Sequence, residues 1–234
     1  MKQSYTAFLD DIKPFIENDD IYTDELRRFA WGTDAGFYRM VPKIIIRSHN
    51  EEQVSKILSA ASFHNVPVTF RAAGTSLSGQ SVSDSVLVVA GKNWESYEIG
   101  PDGEYITLQP GVIGSKVNDY LKPYGRKFGP DPASIKSCMV GGIVMNNASG
   151  MSCGTHANSD RTLISARIVF ADGFVLDTAD KSSCESFTVS HPEIIQSIAA
   201  LRDEVMSDPV LVERIRCKYS IKNVTGLNIL PLVT

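Results

Sequence analysis

Near the N-terminus, Phe8, Ile12, Phe15 and Ile16 recur at helical spacing within an acidic stretch. That spacing predicts an amphipathic helix in residues 1–30, lying on another part of the protein. Val41-Pro-Lys-Ile-Ile-Ile46 is a short β-rich run. Asn50 then stands where a helix cap belongs, and Gln53 follows in capping-box position. Val54, Ile57, Leu58 and Ala61 would be the buried stripe of that helix. Val66-Pro-Val-Thr-Phe70 and Val86-Leu-Val-Val-Ala90 are two further β runs. Strand, helix and strand within about 30 residues predict a parallel βαβ unit with a right-handed crossover. The nearly continuous apolar runs imply strands buried on both faces.

The texture changes after about residue 92. Tyr105-Ile-Thr-Leu-Gln109 alternates like a half-buried strand, and Ile113 to Leu121 reads as a short helix. Ala166 to Phe170 and Phe174 to Asp177 flank Ala171-Asp-Gly173, a strong hairpin signal. Ile194, Ile195, Ile198, Leu201 and Val205 share one face of a final helix over 191–206. Gly100-Pro-Asp-Gly103 marks a turn near a boundary at 92–104. The division expected is a first subdomain over 1–95, including the N-terminal helical segment, and a second over 96–234.

Composition then limits the function classes. The 234 residues are 43% hydrophobic and 21% charged, which suits folded domains rather than disorder. A net charge of −4 without a Lys/Arg-rich run argues against nucleic acid as a partner. Arg214-Ile-Arg-Cys-Lys218 reads as a solvated helix end. Cys138, Cys153, Cys184 and Cys217 form no C-x-x-C pair, so zinc and iron–sulfur templates fail and no metal site is expected. Reduced thiols, the lack of a basic-then-apolar leader and the lack of a long apolar run suit a cytoplasmic protein. Peripheral association with the inner face of the membrane stays open. His49, His64 and His191 sit at element ends without evident partners.

Candidate chemistry begins at Arg71-Ala-Ala-Gly-Thr-Ser-Leu-Ser-Gly-Gln-Ser81. Gly74 and Gly79 have Walker-like spacing, but glutamine stands where the phosphate-binding lysine would be. A small-residue loop after a strand can still turn backbone N–H groups toward one anion. Thr75, Ser76 and Ser78 offer hydroxyls, and Arg71 offers a cation at the loop entrance. On spacing alone, a polar surface loop fits equally well. No G-x-G-x-x-G occurs, so a Rossmann dinucleotide site is not expected. The prolines make Pro130-Asp-Pro-Ala-Ser134 stiff and extended. Gly141-Gly142 and the run from Asn146 to Gly154 are small enough to admit a planar ring close to the backbone. A crossing loop and a packed turn are the plain readings of those two stretches. A lone His156 is more often a packing residue than a base.

Taken in order, these blocks resemble the FAD-binding domain of the vanillyl-alcohol-oxidase/PCMH superfamily, in its D-lactate dehydrogenase/glycolate oxidase branch. The resemblance rests on Thr33-Asp-Ala-Gly-Phe-Tyr38, Glu51-Glu-Gln-Val54, Pro67 to Leu77, Pro110-Gly-Val112 and Pro130 to Ser134. It continues through Gly141-Gly142, Asn147 to Gly150, Gly154-Thr155 and Phe170-Ala-Asp-Gly173. It covers roughly residues 33–178, with Lys218 to Leu232 similar to the stretch just beyond. The fold it implies is α+β, a PCMH-type pair of α/β subdomains. One holds a small βαβ parallel sheet, the other a larger, mostly antiparallel sheet with flanking helices.

The resemblance also implies a ligand and its residues. Arg71, Ala72, Ala73, Gly74, Thr75, Ser76, Leu77 and Gly79 would hold the pyrophosphate of FAD. Pro130, Asp131, Pro132, Ala133, Ser134, Gly141 and Gly142 would line the flavin and ribityl chain. Asn147, Ser149, Gly150 and Gly154 would continue that wall near His156, and Ile168 would meet the adenine side through its backbone. The family usually has Gly-Gly where Ala72-Ala73 stand, and often where Gly79-Gln80 stand. The loop contains no His or Cys, so noncovalent FAD is expected. The implied reaction oxidises a small D-2-hydroxy acid such as D-lactate or glycolate, by hydride transfer to the flavin. Its electron acceptor is not specified. The catalytic base is expected in a cap domain beyond residue 234, and any iron–sulfur cluster in a later C-terminal domain. A sugar or alcohol oxidase, an electron-transfer module, and a nucleotide-phosphate enzyme using Gly74 to Ser81 are the alternatives.

Overall fold

The computed structural model describes residues 3–223 and 226–234. It contains two compact units. The first comprises Met1–Phe128, Pro132–Asn146 and Val169–Val175; the second comprises Gly129–Asp131, Asn147–Ile168 and Leu176–Thr234. The units interleave along the sequence, so no single cut separates them.

The N-terminal stretch is not one helix. It divides into α1 (Gln3–Ile12), a 3₁₀ turn at Asn18–Asp20, β1 (Ile21–Tyr22) and α2 (Glu25–Ala30). Pro14 stops α1, because the residue before a proline is pushed out of helical geometry. Phe8, Ile12 and Ile16 are buried as the spacing predicts. Phe15 lies beyond the helix and is 43% exposed, with the Lys56 ammonium 5.1 Å from its ring centre.

The central sheet has the order β1-β2-β4-β3, with β2 (Ile44–Ser48), β3 (Val68–Arg71) and β4 (Val86–Ala90). β2 and β3 both run parallel to β4, and β1 runs antiparallel to β2. The predicted parallel unit is therefore present, with β4 inserted between the two strands that α3 (Glu51–Phe63) connects. Successive residues of a strand face opposite ways. Ile44, Ile46, Val86 and Val88 pack with Phe8, Ile12 and Ile57 on one side; Ile45, Leu87 and Val89 face Tyr22 and Trp31 on the other. Full burial of each such side chain contributes about 1.5–3 kcal/mol, so these two strands anchor the first unit. The Asn50 side chain accepts from the Gln53 N–H (2.9 Å), and Gln53 accepts from the His49 N–H (2.7 Å), closing the start of α3 as a box.

β5 (Tyr97–Ile99) and β6 (Ile106–Leu108) pair antiparallel, and β7 (Arg167–Val169) and β8 (Val175–Asp177) form the hairpin around Gly173. The architecture is α+β, with parallel and antiparallel sheet and flanking helices. Among the described residues the antiparallel part consists of these two-stranded pieces rather than one larger sheet. Each strand is three residues long, and turns at Gly100 to Gly103, Pro110-Gly111 and Ala171 to Gly173 close them off. α4 (Gly114–Leu121) and α5 (Val140–Met145) complete the first unit.

The second unit carries α6 (Ser159–Thr162), α7 (Lys181–Ser190), α8 (Pro192–Met206) and α9 (Pro209–Tyr219). α8 is therefore not the final helix. Asp208 caps α9 through the Val210 and Leu211 amides, and Pro209 occupies its first turn. The apolar face expected to be buried on α8 is buried only at Val205, while Ile195, Ile198 and Leu201 are 40%, 54% and 49% exposed. Val205 packs with Val212, Ile215 and Val233.

Candidate functional site

The loop from Arg71 to Ser81 leaves the C-terminal end of β3, the end of a parallel strand where ligands are usually held. Gly74 (φ +70°) and Gly79 (φ +73°) are both left-handed, which glycine adopts without steric cost. Among the described residues, the amide hydrogens of Ala73, Gly74, Thr75, Ser76 and Leu77 have no protein acceptor. Successive free amides in a turning backbone form a concave anion site. The Ser76 hydroxyl is engaged with Gln80 and accepts from the Ser78 N–H at 3.2 Å. The Thr75 hydroxyl has no partner among the described residues. Leu77 is exposed at the tip.

Arg71 behaves differently from an entrance cation. Its guanidinium folds beneath Gly74: a Cβ on that glycine would lie 2.5 Å from Arg71 Nη2. Nη1 donates to the Thr33 carbonyl at 2.6 Å, and the group sits 5.1 Å from the Trp31 ring centre. Loss of water lowers its pKa from the usual arginine value, and the charge of Asp34 opposes that shift. Its donors are spent on the backbone of Thr33 and Trp31.

The segment Thr33 to Tyr38 lies along the loop. The Ala35 N–H donates to the Gly74 carbonyl at 3.0 Å. Asp34 accepts from the Gly36 N–H through Oδ1 at 2.8 Å, and from the Ser81 hydroxyl through Oδ2 at 3.1 Å. A Cβ at Gly36 would lie 2.9 Å from the Leu77 carbonyl oxygen, and one at Gly79 would meet the Tyr38 ring at 3.2 Å. Residue-pattern reasoning singled out neither Asp34 nor Ser81 as a site residue. The available signal was Asp-x-Gly, the sequence of an Asx turn. A cavity of about 390 Å³ opens nearby on the same unit, lined by Trp31, Arg47 and Val89 among others.

The other predicted residues fall in two places. In the first unit, Gly141 and Gly142 begin α5, and Gly142 has open space up to the Ala72 side chain, 3.7 Å from a would-be Cβ. Pro132, Ala133 and Ser134 are turned rather than extended: the Ile135 N–H donates to the Pro132 carbonyl and the Cys138 N–H to the Ser134 carbonyl. Those two bonds outweigh the extended preference that the prolines impose.

In the second unit, Pro130 and Asp131 lie outside helix and strand, and the Asp131 N–H donates to the Ser149 carbonyl at 3.1 Å. Gly150 packs so closely that a Cβ would fall 1.9 Å from the Asp131 carbonyl oxygen. Asn147 has φ +43°, and its Oδ1 accepts from the Asp160 N–H in the first turn of α6, so its side-chain oxygen is engaged locally. Gly154 is left-handed beneath the exposed His156 ring. Ile168 lies in β7, 41% exposed. The buried Cys153 thiol contacts the Gly150 carbonyl and Asn158.

The remaining histidines have partners that the sequence did not reveal. His49 Nε2 lies 2.8 Å from Asp20, His64 Nε2 lies 2.7 Å from Asp11, and His191 Nδ1 lies 2.8 Å from the Ser190 hydroxyl. Among the described residues, no group of His, Cys, Asp and Glu could hold a metal ion. No helix among them is long and apolar enough to cross a membrane.

A family model described as "FAD binding domain" matches residues 42–179, more than half of the chain, and the chain belongs to that family. FAD is the cofactor of this class. Over 240 aligned residues the chain is 24% identical to D-2-hydroxyglutarate dehydrogenase of Haemophilus influenzae, covering 96% of this chain and 23% of that protein. It is 33% identical over 141 residues to glycolate oxidase subunit GlcD of Escherichia coli K12, covering 59% and 28% respectively. The chain thus spans about a quarter of the length of these relatives. Substrate-bound p-cresol methylhydroxylase shares its fold with a TM-score of 0.61 at 15% identity, over 76% of this chain and 36% of that one. The fold is of the PCMH type.

Proposed function

We propose that this chain is the FAD-carrying part of a longer oxidoreductase that oxidises a small D-2-hydroxy acid, and that it holds FAD noncovalently. One observation carries the cofactor placement: the run of unspent amides from Ala73 to Leu77, turned by two left-handed glycines, suits a diphosphate. At the start of α5, Gly142 has nothing nearer to a would-be Cβ than the Ala72 side chain at 3.7 Å. No thiol or imidazole lies in the loop to form a covalent link. When bound, FAD supplies the two-electron redox chemistry. This chain contributes binding and orientation: the loop takes the diphosphate, while Gly142 leaves space at the start of α5 next to Gly141, which packs against Pro110. Pro130, Asp131, Pro132, Ala133, Ser134, Asn147, Ser149, Gly150, Gly154, His156 and Ile168 are the further candidate contacts. The names of the aligned relatives support the 2-hydroxy acid class.

The test has two stages. Titrating the protein with FAD should change flavin fluorescence and raise thermal stability, while ATP with Mg²⁺ should not protect it. Failure to bind at high micromolar FAD overturns the cofactor placement. The longer protein, given a panel of D- and L-2-hydroxy acids, sugars and alcohols, should lose flavin colour with a D-2-hydroxy acid. Reduction by a sugar or alcohol instead would reassign the substrate.

A further inference from the structure

We propose that Asp34 is the positioning residue of the phosphate loop: one carboxylate outside the loop references both of its ends and holds the free amides in place. The inference rests on the reading of that loop as the FAD diphosphate site.

At the far end of the loop, Asp34 Oδ2 accepts from the Ser81 hydroxyl, and Ser81 is buried. At the near end, the Arg71 guanidinium is half buried under Gly74 and donates to the carbonyl of Thr33, the residue next to Asp34. Asp34 Oδ1 holds its own backbone in an Asx turn through the Gly36 N–H. That turn aims the Ala35 N–H at the Gly74 carbonyl and lays Gly36 against the Leu77 carbonyl. The consequence for the ligand is directional. With the Gly74 carbonyl engaged by Ala35 and the Leu77 carbonyl covered by Gly36, the side of the loop facing residues 33–38 takes carbonyl oxygens. The amides of residues 73–77 are left for an anion. A backbone held in this way pays less ordering cost when it binds.

The experiment compares Asp34→Ala, Asp34→Asn and Ser81→Ala with the parent protein. It measures FAD affinity, the bound-flavin absorbance spectrum, thermal midpoint, and amide hydrogen exchange of residues 73–81 without FAD. Asp34→Ala should weaken FAD binding about tenfold or more, since the hydrogen bonds to a charged group from Gly36 and from Ser81 are both lost. It should speed exchange in 73–81 before exchange elsewhere. Asp34→Asn should restore most of both, because its carboxamide oxygen can still accept from Gly36 and its NH₂ can still meet the Ser81 oxygen. A role confined to bulk stability predicts faster exchange throughout the protein rather than first in residues 73–81. Ser81→Ala, which deletes only one of the bonds, should weaken binding less and covers the case in which Asp34→Ala does not fold. Unchanged FAD affinity and unchanged exchange in both Asp34→Ala and Ser81→Ala overturn the proposal. If the parent protein binds no FAD but Asp34→Ala still loosens residues 73–81, the FAD reading fails and the positioning role stands.

Discussion

The backbone N–H of Ala35 donates to the carbonyl of Gly74 at 3.0 Å, joining a segment before the first long strand to the loop from Arg71 to Ser81. Gly74 meets two demands at once. Its φ is +70°, and its missing Cβ makes room for the Arg71 guanidinium. Gly125 has a similar φ of +64° but nothing within 4 Å of a would-be Cβ. Gly125→Ala should therefore cost only the left-handed strain, about 1–2 kcal/mol. Gly74→Ala should cost more, and should also lower FAD affinity. Denaturant melts and FAD titration of the two variants separate strain from the steric contact.

Gly142 and Gly150 should part company in the same way. Alanine at 142 meets only the Ala72 side chain at 3.7 Å, within a helix. It should leave stability unchanged or raise it by up to about 1 kcal/mol through helix propensity. FAD binding should nevertheless fall, if a ligand approaches the backbone there. Alanine at 150 would drive into the Asp131 backbone. That substitution should destabilise by about 1–3 kcal/mol or more, as overpacking does. Equal FAD affinity for Gly142→Ala and the parent would remove Gly142 from the site.

Arg71 is spent on backbone carbonyls, so the loop presents amides rather than an outward cation. Arg71→Met should destabilise the protein by about 1.5–3 kcal/mol, the range for hydrogen bonds from a charged group. FAD affinity of the parent should change little between low and high salt, because an amide cradle is short-ranged and a free arginine would be screened. A steep loss of affinity with salt would point to an outward-facing cation.

Two helix caps set an acid dependence. The Arg27 backbone N–H, then its side chain, holds the Asp24 carboxyl below its usual pKa; the Ser182 hydroxyl and amide do the same for Asp180. A carboxyl depressed in the folded state stabilises it above the unfolded pKa. That contribution is lost as pH falls through the lower folded value. Stability of the parent should therefore decline on acidification through and below the ordinary carboxylate range. Asp24→Asn with Asp180→Asn should flatten that limb, as read from thermal midpoints across pH.

The sequence carried the parts of the fold that are written in short periods. Asn50 and Gln53 located the start of α3, and the all-apolar runs at Ile44 to Ile46 and Val86 to Val89 located strands buried on both faces. Asp172-Gly173 located the hairpin, where Gly173 has φ +91°. Contacts between distant segments were not legible. Nothing in the period of α8 says that Ile195, Ile198 and Leu201 stay largely exposed, because amphipathicity marks a face without naming its partner. The inward turn of Arg71 depends on the Thr33 carbonyl, 38 residues away, which no local pattern encodes. The bonds from Asp34 to Ser81 and from Ala35 to Gly74 were hidden for the same reason. The loop could be read as an anion site; what holds it could not.

The strand order also bears on how the chain acquires its structure. β4 is made after β2 and β3, yet it is the strand to which both are paired. Until Val86 to Ala90 has been synthesised, β3 has no partner in the central sheet, and one edge of β2 is open. Pairings between distant segments form slowly, and open apolar edges invite aggregation meanwhile. A nascent chain paused before Val86 should therefore be a chaperone client, and the loop from Arg71 to Ser81, which lies between β3 and β4, should gain its shape only when β4 docks.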